Sequence, residues 1–110
     1  MRLLVVGTAT VLVGCSLCAD SEVRKFVSVR GDRAMVFVRD CGATTGYSTI
    51  VQVGRFPKAD VVAVRGKEML VAMWSPDGTV LTVQIPNTVA EKDVFIKARE
   101  AKGVRVVVNR

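Results

Sequence analysis

The chain has 110 residues, half of them hydrophobic, with 16 Lys and Arg against 10 Asp and Glu, a net charge of +6 and no histidine. That length suits one domain with a modest core, burying about 60–65% of its unfolded surface, and three cysteines without histidine are too few ligands for a zinc site. The positive balance suits an anionic partner, but the charges are scattered along the chain, which argues against a nucleic-acid footprint.

The first segment reads as an address. Met1-Arg2 supplies one positive charge, and Leu3 to Val13 is apolar except for Gly7, Thr8 and Thr10. No acidic residue precedes Asp20. A basic start followed by a short apolar run is the form of a secretory signal. The run is shorter than the roughly 18–20 residues that span a bilayer as a helix. It ends in Leu12-Val13-Gly14-Cys15, which resembles the lipobox of bacterial lipoproteins. The resemblance implies that residues 1–14 are a removed signal peptide and that Cys15 becomes the acylated first residue. Residues 15–22 would then form a lipidated tether, and 23–110 a single β domain. Cys18 is a poorer acceptor, because Ser16-Leu17 lacks the small residue just before it. Ser16 is not the aspartate associated with retention in the inner membrane. The expected location is therefore the cell envelope, on the outer membrane facing the periplasm where the cell has two membranes.

With Cys15 acylated, Cys18 and Cys41 remain, and an oxidising compartment permits a bridge between them. Closing a loop of about 24 residues is worth about 3–3.5 kcal/mol in the chain-entropy treatment. The other arrangement is two separate buried thiols.

Beyond the tether the pattern has period two. Val23–Arg30 and Arg33–Cys41 are strands, with Gly31-Asp32 between them as a two-residue type II′ turn. That register sets Arg30 opposite Arg33, Arg24 opposite Arg39 and Phe26 opposite Phe37. Val23, Val27, Val29, Ala34, Val36 and Val38 then form the expected core face. Tyr47–Val53 alternates again, 54–60 reads as a loop around Pro57, and Val61–Val64 and Met69–Trp74 are short apolar runs. Ser75-Pro76-Asp77-Gly78 is a turn, with proline fixing the second position. Thr79–Ile85 places Leu81, Val83 and Ile85 on one face, and Val104–Val108 is a last strand. Between these two, Thr88-Val89-Ala90-Glu91 fits a capping box, and Gly103 could cap a helix C-terminus. The β-branched and aromatic run Val94-Phe95-Ile96 opposes a helix. The expectation is a short helix or turn near 89–102 giving way to extended chain. The fold class is mainly β, a small antiparallel sandwich or partly open barrel.

Asp40-Cys41-Gly42-Ala43-Thr44-Thr45-Gly46 is the most distinctive string. It resembles the Asp-Cys-Gly-Ala-Thr-Thr signature of a family of small bacterial exported proteins, many of them lipoproteins. They carry a cysteine shortly after the signal, a hairpin before the signature and a Gly-Val-x-Val stretch near the end. Cys18, the hairpin from Val23 and Gly103-Val104-Arg105-Val106 match that plan. The resemblance implies a Cys18–Cys41 pairing. It supplies no catalytic or binding residues. This chain departs from the plan in its middle, which lacks a longer Gly-, Asp- and Asn-rich segment. Read physically, the signature is a stapled corner between strands. The functional alternative is a polar notch of Asp40, Thr44 and Thr45.

No enzyme is expected. Cys41 beside Asp40 lacks a histidine to activate its thiol, and Glu91, Asp93 and Glu100 alternate with Lys92, Lys97 and Lys102 as a solvated face would. No cofactor or metal is implied. Arg30-Gly31-Asp32 spells an integrin-binding tripeptide, but a turn that follows an arginine accounts for it. Opposed arginines are unfavourable across strands unless they splay into water or hold an anion. Arg24, Arg30, Arg33 and Arg39 are therefore a candidate anion or partner patch. Two roles fit: an envelope lipoprotein that binds a protein or anionic component, or a small inhibitor or immunity lipoprotein against a toxin or wall-degrading enzyme.

Overall fold

The computed structural model describes residues 18–42, 46–54 and 57–110. The proposed signal, Cys15, Thr44 and Thr45 lie outside the described residues. Within them the chain runs through β1 (Ala19–Val27), β2 (Arg33–Asp40), β3 (Tyr47–Val53), β4 (Ala59–Arg65), β5 (Val71–Trp74), β6 (Val80–Gln84), β7 (Val94–Lys97), β8 (Glu100–Ala101) and β9 (Val104–Asn109). The fold is mainly β, as the alternation dictates. Its two sheets pack as a sandwich and do not close into a barrel.

The first sheet has the order β1-β2-β3-β4-β7 and is antiparallel throughout. The second has the order β5-β6-β9-β8, with β9 parallel to β6 and the other pairs antiparallel. Nothing in the local pattern announces that parallel pair. The main core lies between the sheets. Val36, Val51, Val53, Val62 and Val64 of the first sheet meet Ala72, Leu81, Val83, Val104 and Val106 of the second. A smaller cluster of Phe37, Ile50 and Ala63, joined by Met35 and Ile96, sits on the other face of the first sheet. Alternation in the first sheet thus puts buried residues of β2, β3 and β4 on both faces.

The β1–β2 hairpin differs from the sequence expectation. Ser28 N donates to Asp32 O at 2.8 Å, and Gly31 N donates to Ser28 O at 2.9 Å. The loop therefore has three residues, Val29-Arg30-Gly31, with Gly31 at φ +88° in the last of them. Ser28 Oγ accepts bonds from Arg30 N and Asp32 N and holds this geometry. Val27 now pairs with Arg33 and Phe26 with Ala34. The expected pairs Arg30–Arg33, Arg24–Arg39 and Phe26–Phe37 do not form. An odd register shift turns a strand over, so Phe26 packs inward while Val27 and Val29 point out at 62% and 77% exposure. The β2 half of the expected core face, Ala34, Val36 and Val38, is buried as expected.

Two boundaries also move. β1 begins at Ala19, so the sheet takes in residues 19–22 of the stretch expected to be a tether. Residues 89–102 form no α-helix: one 3-10 turn at Glu91–Asp93 gives way to β7 and β8. The capping box does not form, because Ala90 occupies the N-cap without a side-chain bond. Gly103 serves the tight β8–β9 turn together with Lys102, both at positive φ.

Candidate functional site

Cys18 and Cys41 are joined by a disulfide across 23 residues. The bridge lies just beyond the Ala19–Asp40 pair and closes the open end of the hairpin. Asp40 turns back on its own chain, where Oδ1 accepts Gly42 N at 3.0 Å. The signature is thus a stapled corner at its described residues.

The four arginines singled out by sequence go to separate places. Arg39 grips Asp20 with two bonds, Nε to Oδ1 at 2.9 Å and Nη2 to Oδ2 at 3.3 Å, and lies over the Phe37 ring at 5.1 Å. The Asp20 hydrogen bond raises its pKa against the opposing effect of burial. Arg24 donates through Nη2 to Leu70 O at 2.6 Å and spans the gap between the sheets. Arg30 Nε stands 3.8 Å from Asp32 Oδ2, too far for a hydrogen bond, and that oxygen is buried with no hydrogen-bond partner among the described residues. Arg33 is exposed at the start of β2. Arg30 and Arg33 flank one turn, while Arg24 and Arg39 are each engaged along the strands.

A site that sequence did not point to lies where the edge strands β1 and β5 meet. Besides the Arg24 bond, Trp74 Nε1 donates to Phe26 O at 2.9 Å, so a side chain of the second sheet is tied to the backbone of β1. Upstream the pairing of β1 breaks at a bulge between Ser21 and Arg24, with Glu22 at φ +55°. Beside this bulge is an open pocket of about 290 Å³. Val23, Val36, Val38 and Met69 give it an apolar lining, with Glu22, Arg24, Thr49 and Glu68 at its polar positions. Three of those side chains serve the fold: Arg24 bonds Leu70 O, Thr49 Oγ1 donates to Gly66 O at 2.7 Å and accepts Glu68 N at 2.9 Å, and Glu22 pairs with Lys67 at 3.4 Å. The pocket has the chemistry of a small apolar recess. The missed signals were the bulge, which no local pattern marks, and the meeting of two strands far apart in sequence.

Among the described residues, no three His, Cys, Asp or Glu side chains gather where they could hold a metal ion. No described helix is long and apolar enough to cross a membrane. Comparison with known protein families, with curated proteins and with solved structures finds no match.

Proposed function

We propose that this chain is exported, lipid-anchored through Cys15 in the cell envelope, and built to bind another envelope component, a protein or an anionic ligand, without catalysing a reaction. The observation that carries the reading is the Cys18–Cys41 bridge. A disulfide that staples the first strand belongs to an oxidising compartment, and it begins three positions after the cysteine of Leu12-Val13-Gly14-Cys15. A short tether ending in a staple is what a domain held close to a lipid anchor needs. The binding reading is supported by the side chains themselves. Around the β1–β5 recess, the polar groups Arg24, Thr49 and Glu22 are committed to structural bonds, which leaves surface complementarity as what the site offers.

The test is metabolic labelling with palmitate in a bacterial host, with processing followed on gels. Wild type should incorporate label and be shortened at Cys15. Cys15→Ala should do neither. Equal labelling of both proteins would refute the anchor.

A further inference from the structure

A folded domain scatters single apolar residues over its surface, and such scatter has no meaning. Here they are concentrated. Of the eight large hydrophobic side chains left exposed among the described residues, six fall on β1, its loop, or β5 with the segment leading into it. These are Val23, Val27, Val29, Met69, Val71 and Met73. The two strands are the adjoining edges of the two sheets, tied together by the Arg24–Leu70 and Trp74–Phe26 bonds. They therefore form one ridge along the side of the sandwich. Packed sheets stand about 10 Å apart, so a ridge of this width can bury side chains on both its flanks in a layer about 5–10 Å deep.

From this we infer that the β1–β5 ridge is the face by which the domain rests on an anionic lipid bilayer, its apolar side chains reaching the boundary between headgroups and acyl chains. The inference rests on the proposed lipid anchor and extends it. Two observations choose a bilayer as the occupant. First, the ridge is continuous with the point of attachment, since β1 starts at Ala19, directly after the residue stapled to Cys41. Three extended residues from Cys15 to Cys18 reach only about 10 Å, so one end of the ridge is held at the membrane. Second, cations accompany the apolar groups. Lys25 and Arg33 are exposed beside Val27, Arg33 directly opposite it, and Arg30 lies next to Val29 at the loop. Basic residues alternating with apolar ones are the composition of interfacial segments, which add electrostatic attraction to burial. The two or three acyl chains expected on Cys15 already give stable attachment; the ridge would fix the orientation of the domain against the bilayer.

The test places a tryptophan at single exposed positions of the full-length protein, isolated in whatever form the cell makes it and reconstituted into phosphatidylcholine vesicles with and without phosphatidylglycerol. Val27→Trp and Met73→Trp report the two flanks of the ridge, and Phe95→Trp on β7 reports the far edge of the first sheet; all three sites are exposed, at 62%, 63% and 45%. Wild type, with Trp74 as its sole tryptophan, gives the background. With brominated acyl chains, fluorescence at both ridge positions should be quenched several-fold more than at position 95, and more in the anionic vesicles. Lys25→Glu combined with Arg33→Glu, introduced beside Val27→Trp, should reduce that quenching. Equal, weak quenching at all three positions would overturn the proposal. So would a ridge shielded from both lipid and water in a protein that sediments as a dimer, which would assign the ridge to a second copy. Mass spectrometry of the same samples reads acylation of Cys15 separately, so loss of the anchor and loss of the docking face are distinguished.

Discussion

Single residues decide more of this fold than their exposure suggests. Asp77 is fully exposed, yet its carboxylate takes hydrogen bonds from Ser75 Oγ at 2.7 Å, Thr79 Oγ1 at 2.8 Å and Thr79 N at 3.1 Å. The Ser75 bond first, then the two from Thr79, pull its pKa down from 3.8 to about 2. A carboxylate whose folded pKa lies below its unfolded one contributes stability that is present above the unfolded value and lost as pH falls through the folded one. The melting temperature should therefore drop between pH about 4 and about 2 in wild type. Asp77→Ala should melt lower at neutral pH, and the gap should close towards pH about 2. Melts of both proteins across that range decide it. The arginines follow the same logic of partners. With its donor on Leu70 O, Arg24→Gln should cost about 1 kcal/mol in denaturant titration. Arg39→Gln removes a partly exposed pair and should cost less than about 1 kcal/mol. Splayed, mutually repelling arginines would instead have gained stability on neutralisation.

At the scale of the element, turns fix which side of a strand faces the core. Gly31 and Gly78 both sit at positive φ, +88° and +77°. A Cβ on Gly31 would meet nothing within 4 Å, whereas one on Gly78 would come within 3.1 Å of Arg30 Cγ and 3.3 Å of Arg30 N. Gly31→Ala should therefore cost about 1 kcal/mol from backbone conformation alone, and Gly78→Ala measurably more, because it also pushes against the neighbouring hairpin. Equal losses in chemical unfolding would show that this contact carries no strain. These two turns also mark how far the sequence could be read. Ser75-Pro76-Asp77-Gly78 carries its own determinants, and the structure makes that turn. Gly31-Asp32 is compatible with a two-residue turn that has glycine first, and with a three-residue loop that has glycine last; both need a left-handed glycine. The bonds from Ser28 Oγ select the second, and the register of β1 follows from it. Strands β3, β6 and β9 were legible because alternation over several residues needs no partner to be recognised. The parallel β6–β9 pair and the β1–β5 ridge were not, since each joins segments that only the folded chain brings together.

For the whole molecule, the hydrophobic core and one covalent link share the task of stability. Leu81 is fully buried between the sheets, and Leu81→Ala should cost about 2–5 kcal/mol. The Cys18–Cys41 bridge closes a loop whose two ends are already neighbours across β1 and β2. Its removal in Cys41→Ala should cost about 2–4 kcal/mol, chiefly by freeing the unfolded chain. The double variant should lose close to the sum of the two, because the bridge touches neither Leu81 nor its neighbours in the core. Denaturant midpoints of the four proteins give this comparison directly.

The placement of β9 has a consequence for the order of events during synthesis. A chain made from its N-terminus delivers β1 to β4 and both bridging cysteines early, and a meander of neighbouring strands can form as it emerges. The second sheet cannot. Its β6 waits for Val104–Asn109, which inserts between β6 and β8 and supplies the partner backbone along Val80–Gln84. Until those residues arrive, β6 offers an unsatisfied edge beside the buried apolar residues Leu81 and Val83, the kind of surface that sticks to other chains. The second sheet is thus incomplete, and Leu81 and Val83 uncovered on one side, until Val104–Asn109 has paired with Val80–Gln84.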